Sequence, residues 1–252
     1  MQFDDGLQMG TAYAGGPIHS GLQATNDVSG SSPQTRGVGP LGRVYIYDQV
    51  PATVAVANLA AAQTLAAAGN LVLAAAAGVT QVVLSNGQVA YQFDIPRAVS
   101  LTSAGNESAV NFTVSGYDVY GQAMTATIAG PNANTVNTLK AFYQVTSIAA
   151  SAAVATAVSA GSSDVFGLPL IAPDAGYIAS VKWAGALAQD AGTFVAADAT
   201  TPATSATGDV RGTYKPSSAS NGAYRLVVAV LCGSSVAGPQ ATRAGAFGVT
   251  QA

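Results

Sequence analysis

Only 9 of the chain's 252 residues are Lys or Arg and 12 are Asp or Glu, 8% charged overall, where a soluble domain ordinarily carries about a quarter. So little charge does not keep a free-standing enzyme surface solvated and unassociated, and the composition points to a chain shaped to lie against other protein. The formal net charge of −3, with basic residues scattered singly from Arg36 to Arg243, excludes the basic stripe that a nucleic-acid binder exchanges for counterions.

Residues 1–43 are punctuated by Gly6, Gly10, Gly15, Gly16, Gly21, Gly37, Gly39 and Gly42 and hold few large apolar side chains. Too little apolar area is available there to offset the entropy of ordering, so a flexible arm is expected that lies extended as a strap against a partner. Met1 to Asp5 shows neither a basic nor an apolar leader region, and no signal peptide is expected. A period-two signal starts at Val44-Tyr45-Ile46-Tyr47, a first strand ended by Pro51. Residues 52–68 are Ala-rich but lack an apolar stripe at helical spacing, and read as loop plus a short helix or strand. Residues 50–93 carry no charge, yet Gly69, Asn70, Gly78, Asn86 and Gly87 interrupt them, which excludes a transmembrane helix.

Val82-Val83-Leu84 and the alternating Val89, Tyr91, Phe93 and Ile95 flank Asn86-Gly87, a pair that tolerates the positive φ of a tight hairpin turn. Val99 and Leu101 continue after Pro96. Val110, Phe112 and Val114 alternate with Asn111, Thr113 and Ser115, and Gly116-Tyr-Asp-Val-Tyr-Gly121 is expected as a loop. Met124, Ala126 and Ile128, then a strand over 139–148 carrying Phe142 and Val145, complete an antiparallel meander over 44–150 with one apolar and one Thr/Ser/Asn/Gln face. Beyond the small-residue stretch 149–163, strands are expected at 165–170, 177–183, 193–197 and 225–231. A long polar tract, 199–222, and a Gly/Ala-rich tail from Gly233 accompany them. Residues 151–252 are a second β domain or a second sheet of one domain. The fold class is therefore all-β, an antiparallel sandwich or barrel-like arrangement behind an extended Gly-rich arm.

Catalytic constellations are missing from the pattern. His19 is the sole histidine and sits in the arm, which removes the usual Ser-His-Asp and Cys-His arrangements and a His ligand for zinc. Asp4-Asp5 reads as a solvated pair, and Cys232, following the apolar run 226–231, as a buried small hydrophobe. No phosphate loop, calcium loop or dinucleotide fingerprint occurs. No enzyme activity, cofactor or metal is expected. Phe166, Tyr177 and Trp183 read as core aromatics rather than a sugar-stacking platform. Tyr45, Tyr47, Tyr117 and Tyr120 are the interface candidates, because Tyr supplies contact area at low entropy cost. Asp209, Arg211 and Tyr214 form either an internal salt-bridged strand or a docking element for a neighbour.

The run from Ile95-Pro-Arg-Ala-Val-Ser-Leu through Gly116-Tyr-Asp-Val-Tyr-Gly121 to Ala126-Thr-Ile128 resembles a module of tailed-bacteriophage virion structural proteins. Leu139-Lys-Ala-Phe-Tyr-Gln-Val-Thr-Ser-Ile148, Gly69-Asn-Leu-Val-Leu73 and Asp209-Val-Arg-Gly-Thr-Tyr-Lys-Pro-Ser217 fit the same pattern. The resemblance covers about 40–150 well and the remainder loosely, and the family's usual Gly-Thr-Asp turn here reads Gly116-Tyr117-Asp118. With this size and β character it implies a capsid cement or decoration protein, a dimer or trimer bound to the major capsid protein on the virion surface and assembled in the host cytoplasm. It implies no membrane or nucleic-acid partner. A tail tube, head–tail connector or fibre component is the alternative within the virion, and a carbohydrate-binding surface module the alternative outside that class.

Overall fold

The computed structural model describes residues 43–200, 202–232 and 251. The expected arm up to Gly42, and the tail except Gln251, lie outside the described residues, as does Cys232's side chain. The chain is all-β. Its strands are β1 (Arg43–Gln49), β2 (Ala60–Leu65), β3 (Gly69–Asn70), β4 (Val79–Val83), β5 (Val89–Ser103), β6 (Asn111–Tyr117) and β7 (Ala123–Ala129). Then follow β8 (Thr135–Ala150), β9 (Val154–Gly167), β10 (Ile178–Trp183), β11 (Thr193–Val195), β12 (Thr213–Lys215) and β13 (Leu226–Cys232). A 3-10 turn, Ala175–Tyr177, is capped by the Asp174 carboxylate, which accepts from the Gly176 N–H. Among the described residues no helix is long and apolar enough to cross a membrane.

The large sheet runs β11-β12-β9-β5-β8-β6-β7, with β2 added on β9, β3 on β8 and β4 on β5; the small sheet runs β1-β13-β10. The expected meander is corrected at β8. With 16 residues it is long enough to pair with two neighbours, β5 from Thr135 to Val145 and β6 from Gln144 to Ala150. It therefore lies between β5 and β6, and the β6–β7 hairpin sits outboard of it.

β8 and β9 are both antiparallel to β5, so they run in the same direction although only residues 151–153 join them. That connection requires the sheet to curl until the end of β8 meets the start of β9. The Ser151 N–H donates to Asn111 O there, and buried Glu107 accepts from the Thr156 N–H. The curled interior holds Phe93, Leu101, Phe112, Val114, Phe142, Val145, Ile148 and Val158.

Most of the small-residue stretch 149–163, expected as a break, belongs to β9. Its residues are small because residues 55–57 cross directly above it: a Cβ on Gly161 would lie 2.0 Å from Ala55 O. β9 also draws the Ala-rich segment 60–65 into strand, since pairing outweighs the helix preference of Ala. Strands from both sides of residue 150 thus meet in each sheet, β9 with β5 in the large one and β13 with β1 in the small one. The β4–β5 turn differs in detail too. Leu84 N–H donates to Gln88 O, leaving a three-residue loop in which only Gly87 takes a positive φ, +85°.

The small sheet closes the second core. Tyr47, Val181, Trp183, Leu226, Val228 and Val230 pack against Ile95, Phe166 and Tyr214 of the large sheet and Leu168 just past β9. Trp183 also meets Tyr224 edge-on, with ring centroids 5.6 Å apart.

Candidate interaction surface

A chain this poor in charge places several of its ionised side chains inside. Arg97, Glu107, Asp118, Lys140, Asp209 and Arg211 are all buried. Arg97 lies where β5 passes under residue 52. Its guanidinium donates to both oxygens of Asp94 (2.7 and 2.8 Å), to Ala52 O (2.7 Å) and to Ser163 O (3.2 Å), and it lies 5.0 Å from the Phe166 ring centroid. Arg211 Nη1 donates to Asp118 Oδ2 and its Nε to Leu168 O, with the Tyr120 ring centroid 5.5 Å away. Burial works against the Arg211 charge, but Asp209 and Asp118 more than offset it and hold its pKa above the ordinary value.

Lys140 Nζ donates to Thr125 O (2.7 Å) and Ala203 O (2.9 Å). Burial lowers its pKa from 10.5 to about 8 against the opposing pull of Asp209 and Asp198. These groups join strands and loops from distant parts of the chain. A buried ion so engaged is a structural fastener, and each one is a charge subtracted from the surface.

The candidates Asp209, Arg211 and Tyr214 are buried, and of the three only Tyr214 lies in a strand, β12. The Asp209 carboxylate accepts from the Ala141 and Arg211 N–H groups, and the Tyr214 hydroxyl donates to Asp190 Oδ2 at 2.8 Å. Burial, then the Asp190 carboxylate, push the Tyr214 hydroxyl's pKa far up. Tyr47 is likewise in the core, and burial raises its pKa strongly. All four of these side chains are buried.

Tyr117 and Tyr120 are half-buried. The Tyr120 hydroxyl donates to Pro169 O at 2.7 Å, and Asp118 Oδ1 ties the turn by accepting from the Tyr120 and Gln122 N–H groups. Tyr45, at 46% exposed, is the freest of the predicted tyrosines.

What reaches the surface is mostly small and uncharged. On β6, β7 and β8 the outer positions include Thr113, Ser115, Thr125, Thr127 and Ser147, and the Thr113 and Thr127 hydroxyls share a hydrogen bond of 2.9 Å. On the small sheet the outer position Ile46 is 55% exposed. A shallow hollow over β6 and β7 is lined by Gln88, Ser115, Tyr117, Thr125, Thr146 and Gln251, with no carboxylate, cation or thiol in its wall. Among the described residues no group of three or more His, Cys, Asp or Glu side chains gathers to hold a metal ion.

Sequence reasoning missed two features. Leu139 points outward at 49% exposed while its neighbour Lys140 points in, the reverse of their hydropathy; Lys140 shares the parity of Phe142, and that alternation was the available signal. Gln251 carried no signal. Its backbone bridges Met124 and Ala203, and its side-chain oxygen accepts from the Val210 N–H at 3.0 Å.

No protein-family model, curated protein or solved structure matches this chain.

Proposed function

We propose that this chain is a structural protein of a tailed-phage virion, a cement or decoration subunit that binds the outer surface of the major capsid shell and reinforces the joints between capsomers. The observation that carries the reading is the surface. Six of the few charged side chains are interior, and the exposed strand positions are mostly Thr, Ala, Asn and Val. Such a surface is cheap to desolvate against protein and poorly suited to a free monomer. The resemblance of residues 95–128 and 139–148 to phage virion modules supplies the setting.

Its work is binding, without a reaction of its own. Each docked copy adds buried area across a joint, and opening the shell then requires breaking that area as well. Contacts on two capsomers, or between copies of this chain, raise the effective concentration of each single contact. The partners are the major capsid protein and further copies of this chain.

Co-sedimentation of the purified chain with expanded, undecorated shells tests the proposal, with a variant lacking residues 1–43 alongside. Saturable binding weakened by the truncation is expected. Absence of binding overturns the cement role, and formation of rings or tubes by the chain alone would move the assignment to the tail.

A further inference from the structure

We propose that Asn221-Gly222 is a site of spontaneous deamidation, selected by the fold over an identical tripeptide elsewhere in the chain. The sequence contains two Asn-Gly pairs, and each follows a serine: Ser85-Asn86-Gly87 and Ser220-Asn221-Gly222. Such pairs are prone to this reaction because glycine, lacking a Cβ, leaves its backbone nitrogen open to the preceding side chain. Both pairs are exposed, so neither composition nor access separates them. Their hydrogen bonds do.

In the β4–β5 hairpin the Gly87 N–H donates to Leu84 O at 2.8 Å, which commits the nitrogen that would have to attack. Asn86 Oδ1 accepts from a single amide, the Gln88 N–H, at 2.9 Å. Before β13 the arrangement is reversed. Among the described residues nothing accepts from the Gly222 N–H, while Asn221 Oδ1 accepts from two amides, Ala223 and Tyr224, each at 2.9 Å. These bonds fold the side chain over the peptide that contains the Gly222 nitrogen. They also meet the reaction's electrostatic need: negative charge develops on Oδ1 as Cγ becomes tetrahedral, and two donors already touch that atom, as in an oxyanion hole.

The Gly222 nitrogen gives up its proton to hydroxide or water and attacks Asn221 Cγ, forming the N–Cγ bond of a cyclic succinimide. The Cγ–Nδ2 bond breaks, and Nδ2 takes a proton from solvent and leaves as ammonia. Water then opens the ring at either carbonyl, to aspartate or isoaspartate, so that a water is consumed, an ammonia released and nothing oxidised or reduced. The isoaspartate form lengthens the main chain by a methylene. That insertion falls between Ser220, whose hydroxyl lies against Ala52 O and Asp164, and Tyr224, whose ring meets Trp183 edge-on. Trp183 is the chain's only tryptophan, and its fluorescence therefore reports the change at the rim of the second core.

The test is to incubate the full-length protein in mildly alkaline buffer, folded and in guanidinium chloride, and to follow both asparagines by peptide mapping with mass spectrometry. In the folded protein Asn221 is expected to convert about tenfold faster than Asn86, the factor set by freeing a committed amide. In denaturant the two are expected to convert at similar rates, because the tripeptide is the same. Asn221→Gln, whose attack closes a larger and slower-forming ring, is expected to remove the drift of Trp183 fluorescence, with circular dichroism establishing that the variant is folded. No conversion at Asn221, conversion at Asn86 as fast or faster in the folded protein, a tenfold preference that persists in denaturant, or an undiminished drift in Asn221→Gln would each overturn the proposal.

Discussion

Arg211 and Asp118 meet as a fully buried ion pair, Nη1 to Oδ2 at 2.7 Å, joining the polar tract after β11 to the turn between β6 and β7. Removing one member of such a pair strands the other as a buried charge. Asp118→Ala is expected to cost about 3–5 kcal/mol in chemical denaturation, and Asp118→Leu combined with Arg211→Met to recover much of that loss. A loss under about 1 kcal/mol for the single variant would show that the pair does not hold the tract.

Lys140 makes the protein's stability pH-dependent in a defined direction. Its pKa falls from 10.5 to about 8 on folding, so between those values the unfolded chain binds a proton that the folded chain does not, and stability rises with pH. Above pH 10.5 the effect is fully relieved, and below pH 8 it is constant. Denaturation of the parent and of Lys140→Met between pH 7 and 10.5 should show the parent gaining relative to the variant. A constant difference would contradict the burial of a depressed lysine.

Ala184 holds φ at +56° in the turn after Trp183, followed by Gly185 at +80°. Residues with a Cβ are strained there, and Ala184→Gly is expected to stabilise the fold by roughly 0.5–1 kcal/mol, read as a raised thermal midpoint. A lowered midpoint would mean that the strain is outweighed by the added freedom of the unfolded chain.

The Gln251 side-chain oxygen accepts from the Val210 N–H, its backbone N–H donates to Ala123 O, and its C=O accepts from the Thr125 N–H. Gln251→Ala leaves a buried donor without that partner, at a cost of about 1–3 kcal/mol. Hydrogen exchange should accelerate at the Val210 and Thr125 amides, while the β5 amides beside β8 stay protected. Unchanged exchange at Val210 would show that the contact carries no stability.

The strands of the hairpin at 82–95, of β6 and of β7 were legible because each is a local alternation, and the side chains expected inside, Phe93, Phe112, Val114 and Phe142, are inside. The route of β8 was not legible, because a strand's sequence specifies which face is buried and not which neighbour it pairs with. β9 was hidden for a related reason. Its Ala, Ser and Gly residues look like a linker, and only the passage of residues 55–57 across Gly161 explains them. The tyrosine candidates divided the same way: nothing local distinguishes Tyr45, which reaches water, from Tyr47, two positions on, which does not.

By itself the sequence determined the fold class and the shortage of charge, since alternation and composition are properties of neighbouring residues. Only the tertiary structure decided that Arg97, Lys140 and Arg211 lie inside and that Ile46 is exposed. Burial depends on what packs against a residue from far along the chain, as Ala203 does against Lys140 and Leu168 against Arg211, and no local pattern records those meetings.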